Sequence, residues 1–360
     1  LSATVWSLTT DLHEFELNES GAICSEWHGR EALYMENRLG HPVLLKNGPS
    51  CDRFRLKAEI ACPSAPGFIG LVFGARDSRN YELIYVSPAS DDYPGEIQYD
   101  PIMNGSSTWQ IYNGPKYQAP APFQAGKWTK LCLDVGPREV SVKVGDVAEP
   151  QLVISKLQLG RCEGTIGVWS YLPGYIRYLS LEPLDSDGGE DGDGGESGDE
   201  RLRCLAAETF ITEWNVSAPY AAGSESAADK GMPTRASVEE NGTLNLNRLF
   251  ASAQGMAVEA SCTFAIAEER VTVLTCGFSD RLRLWVNGEE IYGGEWKWAP
   301  PGSDGRIRSD FAEARIRWQA GLNTIQAEIV STEVIFGWGL AVKTGLVDMK
   351  LVAGAQDSVR

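Results

Sequence analysis

The sequence predicts an all-β protein of two β-sandwich domains, and three observations carry that prediction. No long window sustains the three-and-four spacing of apolar residues that an amphipathic helix needs. Turn residues (Gly, Pro, Asp, Asn, Ser) recur roughly every eight to twelve positions, as they do between short strands. The run DSDGGEDGDGGESGDE, residues 185–200, holds eight carboxylates and six glycines and no basic or apolar side chain. Such a run buries nothing to offset its ordering entropy and its charges repel, so it reads as an extended, solvated linker. The expected organisation is therefore a first domain over 1–183, an acidic linker over 184–201 and a second domain over 202–360.

The strands of the first domain follow in order. In FRLKAEI, Phe54, Leu56, Ala58 and Ile60 share one face and Arg55, Lys57 and Glu59 the other. FIGLVFGA, 68–75, is almost continuously apolar and suits a strand covered on both sides. YELIYV (81–86), GEIQYD (95–100), WTKLCLDV (128–135) and VSVKVGD (140–146) are each bounded by turn residues, and GTIGVWS (164–170) with IRYLSLEP (176–183) close the half. That density of short strands suits a two-sheet jelly roll.

The second domain opens with ETFITEWNVSAPY (208–220) and a Ser/Ala-rich loop. ASCTFAIA (260–267) and RVTVLTCG (270–277) precede RLRLWVNGEEIYGG (281–294), where Asn287-Gly288 is a strong hairpin signal. ARIRW (314–318), AGLNTIQAEIV (320–330) and GWGLAVKT (337–344) complete the set, with Trp338 expected in the core. No repeat period links the halves, so two different sandwiches are expected rather than a duplication.

Composition removes several function classes. Of the 360 residues 43% are hydrophobic and 22% charged, and the net charge is −17, of which the linker supplies eight negatives. Phosphate binding needs a basic face, so no nucleic-acid partner is expected. No apolar run approaches the roughly 20 residues of a membrane span, so no membrane insertion is expected. None of the eight cysteines forms a C-x-x-C pair, and five precede the linker while three follow it. Mostly free, buried thiols are expected, and the compartment stays open.

Across about 50–183, the blocks FRLKAEI, GFIGLVFGARDSRNYELIYVSP, GEIQYDPIMNGSSTWQIYNG, FQAGKWTKLCLDV and GTIGVWS resemble the concanavalin-A-like lectin/glucanase superfamily, in its laminin-G-like branch. That branch includes modules labelled family-16 glycoside hydrolase or 3-keto-disaccharide hydrolase. Across about 205–345, WNVSAPY, the Leu284–Tyr292 hairpin, AGLNTIQAEI and GWGLAV look like the galactose-binding-like jelly roll attached to bacterial carbohydrate enzymes. Both resemblances imply fold first; the folds host binders, hydrolases, lyases and inert spacers alike. Both also imply that a structural calcium is admissible, with no ligands to name.

Catalytic material is thin. Glycoside hydrolysis normally uses two carboxylates flanking the bond, and the strand pattern E-x-D-x-x-E of the resembled glucanases does not occur. Glu96 and Asp100, at i and i+4, are the best available pair. His13, His28 and His41 have no metal or triad spacing, and no phosphate-binding loop occurs. In the acidic run, Asp185 with Asp187 and Asp191 with Asp193 start an EF-hand pattern but place glycine fifth.

Aromatics carry the leading functional expectation. Sugar rings present C–H faces that pack on flat rings, while their hydroxyls need neutral hydrogen-bonding groups alongside. Residues 80–117 supply both, with Tyr85, Tyr99, Trp109 and Tyr112 as stacking platforms and Gln98 and Asn104 as orienting groups. Trp296 and Trp298, two apart in a Gly/Pro-flanked loop, form a second candidate platform or else the loop's own small core. The expected function is non-catalytic recognition of an oligo- or polysaccharide, as a free-standing protein or accessory module. The rival classes are a glycoside-cleaving enzyme using Glu96 and Asp100, and a structural module that binds another protein.

Overall fold

The computed structural model describes residues 2–49, 51–91, 94–185, 198–224 and 230–352. Most of the acidic run, 186–197, lies outside the described residues. The chain divides into two compact units, Leu1–Gly192 and Asp193–Arg360.

The first unit is a β-sandwich. One sheet runs in the order Leu152–Ile154, Val140–Val144, Thr129–Val135, Phe54–Ala61, Gly174–Pro183, Arg30–Met35, Ile23–Trp27, with Thr4–Trp6 added along Gly174–Pro183. The other runs Gln118–Pro120, Glu96–Tyr99, Asn80–Ser87, Phe68–Asp77, Thr165–Tyr171, Val43–Leu45, Phe15–Glu16. The alternation in FRLKAEI has the predicted outcome. Phe54, Leu56, Ala58 and Ile60 are buried, and Leu133 and Leu131 stand opposite Leu56 and Ala58 on the same inward face. Each such aliphatic side chain contributes roughly 1.5–3 kcal/mol by leaving water.

Phe68–Asp77 is buried on both faces over its first eight residues, as its unbroken apolar run predicts. Register explains what each face meets. Ile84, Leu71 and Val168 lie side by side on an aliphatic face, and the neighbouring Ile69 packs against Gly174 of the opposite sheet. Tyr85, Gly70, Trp169 and Gln98 share the other face. That second face is roofed by the chain itself: Gln98 Nε2 donates to the Tyr112 carbonyl at 2.7 Å, and Trp169 Nε1 donates to the Gly40 carbonyl at 2.7 Å.

The second unit has a larger sheet in the order Thr234–Ser237, Glu213–Val216, Met256–Ile266, Gly321–Ser331, Arg281–Val286, Glu289–Glu295, with Tyr220–Ala221 and Lys350–Leu351 pairing Met256–Ile266. A smaller sheet runs Thr243–Asn245, Gly339–Lys343, Arg270–Ser279, Ala312–Trp318. The hairpin turn falls at Asn287 (φ 51°) and Gly288 (φ 85°), the two left-handed positions that a tight hairpin requires. Trp338 is fully buried.

Three features depart from the sequence reading. A helix, Gly198–Ala207, begins within the last residues assigned to the linker and continues beyond it. Strands also form before residue 50, where no element was predicted: Thr4–Trp6, Phe15–Glu16, Ile23–Trp27, Arg30–Met35 and Val43–Leu45. The Gly174–Pro183 strand carries a bulge between Arg177 and Ser180 that a regular alternation does not announce.

All eight cysteines are free thiols, and burial pushes the Cys62, Cys162, Cys262 and Cys276 thiols up to about 12. They act as small apolar packing groups. Among the described residues no helix is long and apolar enough to cross a membrane.

Candidate ligand-binding site

The platform expected over residues 80–117 is an interior. Tyr85, Tyr99, Trp109 and Tyr112 are exposed by only 4%, 0%, 6% and 0%. The Tyr85 ring lies parallel to Trp169 at 5.6 Å and meets Phe68 edge-on. The Tyr99 hydroxyl donates to Glu82 Oε2 at 2.6 Å and accepts the Gln158 N–H at 2.7 Å. Tyr112 packs edge-on to Tyr99 and Tyr117. Gln98 spends its amide on the Tyr99 and Tyr112 carbonyls. Asn104 sits at positive φ in a turn where its N–H meets Asn80 Oδ1 and its carbonyl meets Arg79. Tyr85 and Gln98 therefore lie on the roofed second face, Tyr99 on the opposite, aliphatic face and Asn104 in a turn, so together they do not present a flat surface to a sugar.

The carboxylate pair is also interior. Asp100 accepts the Ser107 hydroxyl at 2.5 Å and the Thr108 N–H at 2.7 Å, which fixes the turn that follows its strand. Burial pushes its carboxyl up to about 7 against the pull of those hydrogen bonds. Glu96, 5% exposed, takes the Gln118 amide at 2.9 Å. The geometry is that of two structural acceptors.

In the second unit Trp296 and Trp298 are half-buried. Trp296 lies on Phe311 with ring centroids 4.2 Å apart, and its Nε1 donates to the Arg306 carbonyl at 3.0 Å. Trp296 thus packs as the loop's own small core, the second of the two readings that the sequence allowed. Among the described residues no three His, Cys, Asp or Glu side chains gather as a cation site would require.

A cluster of rings that meets solvent lies on the outer face of the larger sheet of the first unit. Ile23–Trp27 and Arg30–Met35 form a hairpin whose two-residue turn, His28 (φ 51°) and Gly29 (φ 69°), is the same left-handed type as Asn287-Gly288. Trp27 at the hairpin tip stacks on Tyr175 with ring centroids 5.3 Å apart and 16° between the planes. Trp128, also 5.3 Å away, meets Trp27 edge-on, and Tyr34 flanks Tyr175 at 5.0 Å. All four rings are half-buried, so each keeps part of its surface in water.

Polar groups frame these rings. Antiparallel pairing lines up Arg55, Lys57 and Glu59 with Asp134, Cys132 and Lys130 on one side and with Glu182, Ser180 and Arg177 on the other. The Arg177 guanidinium lies 5.7 Å from the Trp128 ring and 4.3 Å from the Tyr178 ring. Its Nε comes within 2.9 Å of Glu59 Oε2, and Arg30 approaches the same carboxylate at 3.8 Å. Neither Arg177 Nε nor Glu59 Oε2 has an aligned hydrogen bond despite that approach, and Trp128 Nε1 also lacks an acceptor. Buried polar atoms are normally satisfied, and here the Arg177–Glu59 ion pair compensates two of the three.

The bulge supplies the last part. It turns Tyr178 outward at φ 52°, leaving it 47% exposed. Bulges commonly re-aim a side chain in this way. On one side of Tyr178 is a cavity of about 250 Å³ lined by Ser7, Thr9, Arg30, Glu31 and Arg177. On the other is a groove of about 530 Å³ lined by Arg55, Lys57, Glu59, Lys130, Lys143 and Asp146. Sequence reasoning missed Trp27, Trp128, Tyr175, Arg177 and Tyr178. The available signal was the pair of alternating runs ICSEW and REALYM around His-Gly, a hairpin pattern with a tryptophan at its tip.

No protein-family profile and no curated protein matches the chain. Among solved structures, the carbohydrate-binding module CBM66 from Bacillus subtilis is similar at 10% identity and a TM-score of 0.29, over 50% of this chain and 92% of that one. The Caenorhabditis elegans galectin LEC-6 is similar at 11% identity and a TM-score of 0.31, over 46% of this chain and 99% of that one. Domain 4 of AbnA, a GH43 extracellular arabinanase from Geobacillus stearothermophilus, solved with arabinotriose, is similar at 14% identity and a TM-score of 0.29, over 50% of this chain and 82% of that one. At these identities and scores the likenesses carry no statement about activity or ligand.

Proposed function

We propose that this protein is a non-catalytic carbohydrate-binding protein or accessory module, and that the saccharide sits on the outer face of the larger sheet of the first unit. The observation that carries the reading is the stacked Trp27–Tyr175 pair, half-exposed beside Trp128 and the Arg177–Glu59 pair. A pyranose offers an apolar C–H face to such rings, and each hydroxyl both donates and accepts a hydrogen bond. Arg177 and Arg30 supply donors and Glu59 the acceptor, all within reach of the same rings.

Binding is favoured over cleavage because the best carboxylate pair of the sequence, Glu96 and Asp100, is occupied in holding loops. A glycan array followed by titration calorimetry on the full chain tests the reading. Binding by at least one glycan, lost in Trp27→Ala, supports it; no binding across the array, or full binding by the variant, removes it.

A further inference from the structure

Resting on the saccharide reading above, we infer that the ligand is an extended, uncharged glycan chain that crosses the strands of the larger sheet and passes over Tyr178, rather than a chain end or a single sugar. Two observations carry this.

The first is the shape of the surface. The two cavities flanking Tyr178 share that residue as a common wall, so they are successive stretches of one path. The path leads from Lys143 through Lys130, Glu59 and Tyr178 to Arg30. Those residues belong to five adjacent strands of the sheet. Four inter-strand steps span about 19 Å at roughly 4.8 Å per step, longer than one sugar ring. Recognition of a chain end needs a closed pocket at one place; here the volume is divided about a raised ring, which suits stacking an internal unit with neighbours on both sides.

The second is the charge pattern. Most cations along the path face a carboxylate: Arg55 with Asp134 at 2.5 Å, Lys57 with Glu182 at 3.5 Å and Lys130 with Asp146 at 2.7 Å, while Arg177 and Arg30 share Glu59. Lys143 Nζ donates to the Ala148 carbonyl. An anionic polymer would need cations whose charge is not already neutralised. Alternating donors and acceptors instead fit hydroxyl groups, which use both.

The test is calorimetry on the full chain with cello-, xylo-, laminari- and arabino-oligosaccharides and an oligo-uronate series, each at one, three and six units. The expected result is a neutral hexasaccharide bound at least about tenfold more tightly than its monosaccharide, with affinity changed less than about twofold between roughly 0.05 and 0.5 M NaCl. Tyr178→Asn, which keeps a residue at ease with positive φ but deletes the ring, should cut the hexamer-to-monomer affinity ratio to below about threefold.

Equal affinity for monomer and hexamer in the parent overturns the extended-chain inference and leaves the saccharide reading standing. Preference for the oligo-uronates, with steep loss in salt, overturns the uncharged assignment. Silence from every series overturns both the inference and the reading beneath it.

Discussion

Trp27 and Tyr175, 148 positions apart in the chain, lie face to face with ring centroids 5.3 Å apart and planes 16° from parallel. One ring comes from a hairpin tip and the other from the strand that the bulge later distorts. Both rings stay half-exposed at the surface of the larger sheet.

Trp27→Ala should reduce glycan affinity by at least about tenfold, because one face of the platform disappears. The stability cost should be small, on the order of 1 kcal/mol, since the ring is half-exposed and Tyr34 still packs on Tyr175. Calorimetry and urea denaturation read the two effects separately. A large stability loss with proportionate binding loss would mean that the ring holds the sheet and not the ligand.

Glu96→Gln should leave glycan affinity within about twofold of the parent. Glu96 points to the roofed face of the other sheet, where Gln118 holds it, far from the Trp27 cluster in sheet order. A tenfold loss in this variant would move the site to that face.

Asp100 predicts a pH dependence of stability with a definite sign. Its folded-state carboxyl is pushed from 3.8 up to about 7, chiefly by burial. A raised acid binds its proton more tightly in the folded state, so its contribution favours folding most at low pH. That contribution weakens as pH rises from near 4 towards 7. Asp100→Asn cannot ionise, so the stability of this variant relative to the parent should rise across that window. Thermal unfolding of both proteins from pH 4 to pH 8 provides the measurement, and parallel curves would refute the assignment.

Tyr99→Phe should destabilise the first unit by about 1–3 kcal/mol. The lost hydroxyl donates to Glu82, itself 1% exposed, and accepts the Gln158 N–H, so the change strips a partner from two interior groups. Chemical denaturation checks it. A midpoint equal to the parent's would show that the buried carboxylate finds another donor.

How far the chain could be read depended on the range of the cause. Inward and outward residues of FRLKAEI, the doubly covered FIGLVFGA strand and the Asn287-Gly288 turn are local consequences of side-chain period and φ preference, and each is where the sequence places it. The bulge at Arg177–Ser180 was not legible, because it inserts residues without breaking the apolar pattern on either side. The hairpin at Trp27 was missed although its runs alternate around His-Gly, because its strand Ile23–Trp27 carries exposed apolar and charged residues rather than a buried stripe.

The sequence by itself determined the fold class and the shared face of each strand, because a period of two and a few turn residues act over short distances. Only the tertiary structure decided which faces meet water. Tyr85 and Tyr99 share their strands' faces as alternation requires, yet residues from elsewhere in the chain, from Gly40 to Tyr117 and Gln158, return to cover the sheet that carries them. Trp27 and Tyr175 are covered only in part, by each other, by His28 and by Trp128, so both rings stay half-exposed. Whether a face is roofed depends on where a distant segment comes back, and that is a property of packing the whole unit rather than of any window along it.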